Sequence, residues 1–373
     1  MRHNPKSILQ ELRSLGFSFF TGVPDSLLKD FNSILMQESL PDQHIIAANE
    51  GNAIAIGVGH YLGSGRPAFV YMQNSGFGNA INPIISLADP EVYSIPMMIM
   101  VGWRGEPGIK DEPQHVKQGR VMKTLLESLE IPYFYLSQDH PSHELSRATE
   151  VMNSTSGPVV ILVSKDTFET ADSDEQKLEN SQLTREEAIT TVVQSLSQDS
   201  FIVSTTGMAS RELWETRKNL NSATNRDFLS VGSMGHASSI ALGLNLAQPE
   251  KILVCLDGDG AALMHMGSLA VIGVNAKRQF LHVVLNNGAH DSVGGQPTVG
   301  QEVDFCGIAR SCGYSVVSTA ETIQEIQEKI LSFTKDSRTH FLEIIVKKGS
   351  RKDLGRPTEN PAKNRDTFMK AFN

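Results

Sequence analysis

Short apolar runs alternate with helix-period segments along the whole chain, and no other feature limits the fold as tightly. In the first half the runs are FSFFTGVP, HIIAA, PAFVYM, IPMMIMVGW, PYFYL and GPVVILVS. Between them lie SLLKDFNSILMQ, GNAIAIGVGHYL, INPIISLA and VKQGRVMKTLLESL. Strands that are apolar on both faces and alternate with helices predict parallel sheets covered on both sides.

The acidic stretch from Lys165 to Leu183 shows no periodicity and reads as a linker. A second series opens at TREEAITTVVQSL, where Thr184 and Glu187 fit an N-terminal capping box. It continues through FIVSTTG, FLSVG, KILVCLDG, FLHVVLNN, YSVVS and FLEIIVK. The expected organisation is an α/β domain over 1–164, a linker over 165–183, a second α/β domain over 184–348 and a basic tail over 349–373. Both domains are expected to be doubly wound parallel sheets. A length of 373 residues suits about two domains.

A formal charge of −9 argues against a nucleic-acid binder, which needs a basic face. No window approaches the roughly 18 apolar residues of a membrane span, and the first residues lack a secretory apolar region. Cys255, Cys306 and Cys312 form no CxxC pair, so free thiols in a reducing compartment are expected. The chain therefore reads as soluble and cytoplasmic.

In doubly wound sheets, ligands sit at the carboxyl ends of the strands. Two such ends stand out. KILVCLDGDGA places Asp259 between Gly258 and Gly260, and FLHVVLNNGA ends in Asn286 and Asn287; 25 residues separate Gly260 from Asn286. That interval suits one helix, a turn and the next strand, returning the asparagines beside Asp259. A carboxylate, an amide oxygen and a backbone carbonyl are hard oxygen ligands suited to Mg²⁺ with phosphate oxygens completing its shell. The flanking glycines admit backbone N–H groups to a diphosphate. Taken singly, Asp259 reads equally well as a helix cap and the asparagines as a turn. Gly258-Asp259-Gly260 lacks the further glycine of a dinucleotide-binding loop, and no P-loop lysine pattern is present.

GDG, 25 residues and NN resemble the motif of thiamine-diphosphate enzymes, and the two halves resemble that superfamily's pyrimidine-binding and diphosphate-binding domains. The resemblance implies thiamine diphosphate and Mg²⁺ as cofactors. Asp259, Asn287 and the carbonyl of Ala289 would hold the cation. Gly258 and Gly260 would flank it, and the Thr206-Gly207 turn would support the diphosphate. Asn286 would be structural. In VGSMGHASSIALG, Met234 corresponds to the apolar wedge that bends the cofactor, with a core methionine as the competing reading; the Gly232 carbonyl would accept from the cofactor's amino group. Glu50, in IIAANEGNAIAIGVG, would bond the aminopyrimidine ring and promote deprotonation of the thiazolium carbon. Its competing reading is a surface acid at a helix N-terminus.

Longer stretches, among them FTGVPDSLL, MQNSGFGNAINPIISLADP, GWRGEPGIKDEPQHVKQG and GSRKDLGRPT, resemble the phosphonopyruvate decarboxylases, with the sulfopyruvate decarboxylases a less similar group. The resemblance implies decarboxylation of 3-phosphonopyruvate to phosphonoacetaldehyde and CO₂ in phosphonate biosynthesis. Sulfopyruvate as substrate, or a non-catalytic cofactor-binding protein, are the alternatives. A dianionic substrate needs cations or N–H donors. Ser26, Arg104, Lys110, His115, Lys117, His290, Arg351 and Arg356 are candidates, although each basic residue alone reads more readily as surface. Asp25 and Ser26 fit a polar substrate position and equally a helix cap. Pyruvate decarboxylases place a glutamate six residues beyond the second asparagine; here that residue is Val293. The proton donor must then differ, with His115, Asp25 and His290 as contenders. The resemblance also implies a homo-oligomer with sites between subunits.

Overall fold

A computed structural model describes residues 2–136, 139–171 and 183–373. The chain divides into two compact units, Met1–Glu175 and Gln176–Asn373. The division falls inside the acidic stretch read as a linker, of which 172–182 lies outside the described residues.

The first unit contains β1 (Phe20–Gly22), β2 (His44–Ile46), β3 (Ala68–Gln73), β4 (Met97–Gly102), β5 (Tyr133–Tyr135) and β6 (Pro158–Val163). They form one sheet in the order β2-β1-β3-β4-β6-β5, parallel at every pairing. Successive residues face opposite sides of a strand, and the packing follows. Phe69, Tyr71, Met98, Met100, Val159 and Ile161 enter one apolar layer, while Val70, Met72, Ile99, Val101, Val160 and Leu162 enter the other. Burial on both faces explains the unbroken apolar runs in the sequence.

The second unit repeats the plan with β7 (Phe201–Ser204), β8 (Asp227–Leu229), β9 (Leu253–Gly258) and β10 (Phe280–Asn286). A small antiparallel pair, β11 (Ala289–His290) and β12 (Gln296–Pro297), precedes β13 (Val316–Ala320) and β14 (Thr339–Ile345). The main sheet runs β13-β14-β10-β9-β7-β8, again parallel throughout. Counted from its own first strand, and leaving the small pair aside, each sheet therefore has the order 2-1-3-4-6-5. In both, the winding reverses between the first and third strands, where the carboxyl ends open a crevice.

The expected capping box is present: Thr184 and Glu187 satisfy each other's backbone N–H groups at the start of the helix Arg185–Ser195. Two features differ from the sequence reading. The single helix expected between Gly260 and β10 is two, Asp259–Met264 and Gly267–Asn275. The tail ends in a helix, Pro361–Phe372, whose Phe368 and Phe372 stand edge-on to Phe201 with centroids 5.7 and 4.9 Å away. No helix among the described residues is long and apolar enough to cross a membrane.

Candidate active site

In the first unit, the carboxyl ends of β1, β3 and β4 gather a charged group. Asp25 lies just past β1 and is fully buried. Its Oδ2 accepts the Leu27 N–H at 3.1 Å, and its Oδ1 accepts a short bond from Nε2 of Gln73 at the end of β3. Burial pushes its pKa above the usual carboxylate value, against the pull of Gln73 and the nearby Arg104 guanidinium. A Cβ on Gly102, the last residue of β4, would collide with Oδ2 of Asp25.

Arg104 follows β4. Its Nη1 donates to Ser26 Oγ at 2.8 Å, and its Nε donates to Asp111 Oδ2 at 2.7 Å, with a second, short bond from Nη2 to Asp111 Oδ1. Burial works against ionisation of Asp111, but the Arg104 bonds and the Gly105 N–H outweigh it and hold the carboxyl below its usual range. A reciprocal pair ties the ends of β3 and β4: Asn74 Nδ2 donates to the Arg104 carbonyl at 2.7 Å, and the Arg104 N–H donates to Asn74 Oδ1 at 3.2 Å. His115 lies in the first turn of the helix Pro113–Ser128, half-buried beside Gln118. Burial and the Arg104 charge push its pKa down. Lys110 and Lys117 are exposed.

Glu50 is the first residue of the helix Glu50–Ser64, capped by the Asn49 side chain. Although at a helix N-terminus, it is buried, at 5% exposure, which sets aside the surface-acid reading. Asn79 Nδ2 donates to its Oε2 at 2.8 Å, and Gly76 packs so closely that a Cβ there would overlap Oε1. The segment leaving β3 thus touches Asp25 through Gln73 and Glu50 through Gly76.

In the second unit, Thr206 and Gly207 follow β7. Gly207 has φ +91°, a conformation that side chains disfavour, and a Cβ there would meet Ser292 Oγ. It caps the helix Met208–Asn219, whose first-turn N–H groups, lacking partners within the helix, suit an anion. Asp259 opens its helix at the end of β9, 2% exposed. Thr298 Oγ1 donates a short bond to its Oδ2, and the Gly260 and Asn287 N–H groups also donate to the carboxylate. Its bonding partners are all neutral, so burial pushes its pKa up to about 6.

Asn287 Nδ2 donates to Asp291 Oδ2 at 2.6 Å, while its Oδ1 accepts the Ala289 N–H at 3.0 Å. Asn286 is structural: its Nδ2 donates to the Gly300 carbonyl and to Glu343 Oε1, both at 2.7 Å. The His290 ring and the Met234 methyl converge on Gly260, where an added Cβ would collide with the ring at 2.9 Å and crowd the methyl at 3.3 Å. Burial pushes His290 down to about 4. Gly232 is half-buried in the loop before Met234. The Arg351 guanidinium is taken up by Glu186 at 2.9 Å, Asp353 at 3.1 Å and Glu215, whereas Arg356 is exposed.

The buried Asp259 carboxylate, bonded by neutral groups, and the oriented Asn287 amide oxygen are a donor set that fits a hard divalent cation. The helix capped by Gly207 fits a diphosphate. Sequence reasoning did not single out Asp111, Gln73, Asn79, Asp291 or Thr298. Only Asp291, four residues beyond Asn287, carried a readable signal.

Residues 5–125 match the thiamine pyrophosphate enzyme N-terminal TPP binding domain, and residues 205–344 match the corresponding C-terminal TPP binding domain. The chain is 32% identical over 370 residues to phosphonopyruvate decarboxylase of Streptomyces viridochromogenes, covering 94% of this chain and 90% of that one. It is 31% identical over 373 residues to phosphonopyruvate decarboxylase of Streptomyces hygroscopicus, covering 95% and 90%. Sulfopyruvate decarboxylase of Methanosarcina acetivorans is 27% identical over 374 residues, with coverage of 93% and 92%. With both cofactor-binding domains matched and the likeness running nearly end to end, the chain belongs to the thiamine pyrophosphate enzyme family and is a thiamine-diphosphate- and Mg²⁺-dependent decarboxylase.

Proposed function

We propose that the substrate is 3-phosphonopyruvate, converted to phosphonoacetaldehyde and CO₂ as a step of phosphonate biosynthesis. The observation that carries this reading is Arg104, a guanidinium fixed by Asp111 and Ser26 beside a buried carboxyl at one strand edge. A planar guanidinium suits a phosphonate or carboxylate better than an ammonium does. The 31–32% likeness to two phosphonopyruvate decarboxylases, against 27% to a sulfopyruvate decarboxylase, supports the same choice.

When bound, thiamine diphosphate supplies the nucleophilic carbon and the electron sink for loss of CO₂. Asp259, Asn287 and the Ala289 carbonyl would hold Mg²⁺, with Thr206 and Gly207 supporting the diphosphate between Gly258 and Gly260. The Gly232 carbonyl and Met234 would orient the rings, and Glu50 would bond the aminopyrimidine. Ser26 and Arg104 would hold the substrate's anionic end, with Lys117, Arg351 and Arg356 outside this group. With Val293 in place of an acid, a proton must come from elsewhere. His115 and His290 are held toward their neutral forms by burial. Burial favours the protonated form of Asp25. Asp25 is therefore the proposed donor, with the Gln73 bond fixing its carboxyl.

The helix Glu50–Ser64 is rich in apolar and small residues, yet Ala55, Gly59 and Leu62 are exposed. Such a face supports a covering subunit in a homo-oligomer. Loss of activity on dilution, tracked with sedimentation, tests that. The substrate is tested by offering 3-phosphonopyruvate and 3-sulfopyruvate at equal concentration and measuring CO₂ and both aldehydes. Preferential use of 3-sulfopyruvate overturns the proposal. Turnover surviving both Glu50→Ala and Asp259→Ala overturns the site assignment.

A further inference from the structure

Asp291 follows β11 and makes three bonds through one oxygen. Its Oδ2 accepts from Asn287 Nδ2 at 2.6 Å, from Arg185 Nη1 at 2.7 Å and from the Gly349 N–H at 3.0 Å. Arg185 in turn makes a two-pronged bond to Glu212, Nε to Oε2 at 2.7 Å and Nη2 to Oε1 at 3.0 Å. All three charged side chains are less than a tenth exposed. Buried charges without partners are costly, so the three stand or fall together.

The bonding also fixes which way the Asn287 amide faces. Its NH₂ meets a carboxylate and its oxygen meets an N–H; the flipped amide would set oxygen against oxygen and hydrogen against hydrogen. Without the Asp291 acceptor, the amide would lose the stronger of these constraints, since a bond to an ionised acceptor is roughly twice as strong as a neutral one. Glu212 lies in Met208–Asn219, the helix capped by Gly207. One buried ionic chain therefore joins the helix suited to the diphosphate to the amide suited to the cation.

Building on the reading of Asn287 as a cation ligand, we propose that Asp291, held by Arg185 and Glu212, is a positioning residue. It turns the amide oxygen of Asn287 toward Mg²⁺ and keeps it in register with the diphosphate helix. Groups that orient a metal's ligands typically contribute 10–100-fold to affinity.

The test uses the full-length protein stripped of cation. Thiamine diphosphate binding is measured calorimetrically at stepped Mg²⁺ concentrations, with thermal unfolding of the cation-free protein followed alongside. Asp291→Asn is expected to raise the half-saturating Mg²⁺ concentration at least about tenfold. Asn287→Asp sets two carboxylates together and is expected to raise it as well. The exchanged pair Asn287→Asp with Asp291→Asn restores an amide–carboxylate bond of reversed direction and is expected to recover most of the loss. An Asp291→Asn protein that melts earlier but binds Mg²⁺ and cofactor like the parent overturns the proposal, as does failure of the exchanged pair to recover. Should Asp291→Asn not fold, Arg185→Lys, which loses the fork to Glu212, takes its place, and an unchanged Mg²⁺ dependence there overturns it equally. Asn287→Ala separates the two levels. If it binds like the parent, the ligand reading itself fails; if it loses Mg²⁺ while Asp291→Asn does not, only the positioning role fails.

Discussion

Asn79 donates its side-chain amide to Oε2 of Glu50 at 2.8 Å, from one helix to the first turn of another. The bond leaves Oε1 of Glu50 against Gly76, where no side chain fits. Glu50→Gln is expected to lower kcat by roughly 10²–10⁴-fold, the usual loss for an acid–base group. Asn79→Ala, which keeps the carboxyl but frees its rotation, is expected to cost a smaller factor, about tenfold. CO₂ release at saturating cofactor and Mg²⁺ checks both, and equal losses in the two variants would contradict separate roles.

Arg104 makes a fork onto Asp111 and reaches Ser26 with its remaining nitrogen. Lysine supplies charge without the fork. Arg104→Lys is accordingly expected to raise KM for 3-phosphonopyruvate by roughly 10–100-fold, the loss of a bond to a charged group of about 1.5–3 kcal/mol. Steady-state kinetics would show the change in KM with a much smaller one in kcat. A fall in kcat alone would place Arg104 outside substrate binding.

Gly102 ends β4 against the Asp25 carboxyl. A methyl group there has to push the carboxyl or the strand, and overpacking of this kind costs about 1–3 kcal/mol. Gly102→Ala is expected to lower stability in urea by that amount and to lower kcat, because Asp25 cannot keep its bond to Gln73. A variant of unchanged stability and rate would show that the edge relaxes freely.

His44 on β2 shares a hydrogen bond with the Tyr71 hydroxyl at 2.8 Å, and burial pushes its pKa down to about 4. The folded state resists the proton that the unfolded chain accepts near pH 6.5. His44 therefore leaves stability intact above pH 6.5 and removes it as pH falls toward 4, by an order of 3 kcal/mol in all. His44→Gln is expected to flatten the difference in unfolding free energy across that window. Parallel curves for parent and variant would refute the assignment.

The fold was largely legible because the strands are buried on both faces and so write unbroken apolar runs into the sequence. The placement of the proposed cation ligands was legible for a related reason. A single βαβ crossover fixes the interval between the ends of β9 and β10, and Asp259 and Asn287 occupy those ends. What escaped was set by contacts between distant segments. Asp111 sits in an irregular loop, and its value lies in meeting Arg104. Glu212 and Arg185 belong to separate helices, and nothing in the sequence pairs them before packing does. The tail helix was missed because Phe368 and Phe372 are its only buried residues, four apart among polar neighbours. Arg351, read as a candidate cation for the substrate, engages Glu186, Glu215 and Asp353, partners that no local pattern in the sequence announces.

The common strand order of the two sheets bears on how such an enzyme could be retooled. The same platform occurs twice, with the groups proposed for the substrate's anionic end following β1 and β4 and those proposed for cation and diphosphate following β7, β9 and β10. Acceptance of a new acid and retention of the cofactor are then separable design problems. Rewriting the loops around Asp25 and Arg104 changes one ledge of one platform and leaves the ionic chain beneath Asn287 untouched.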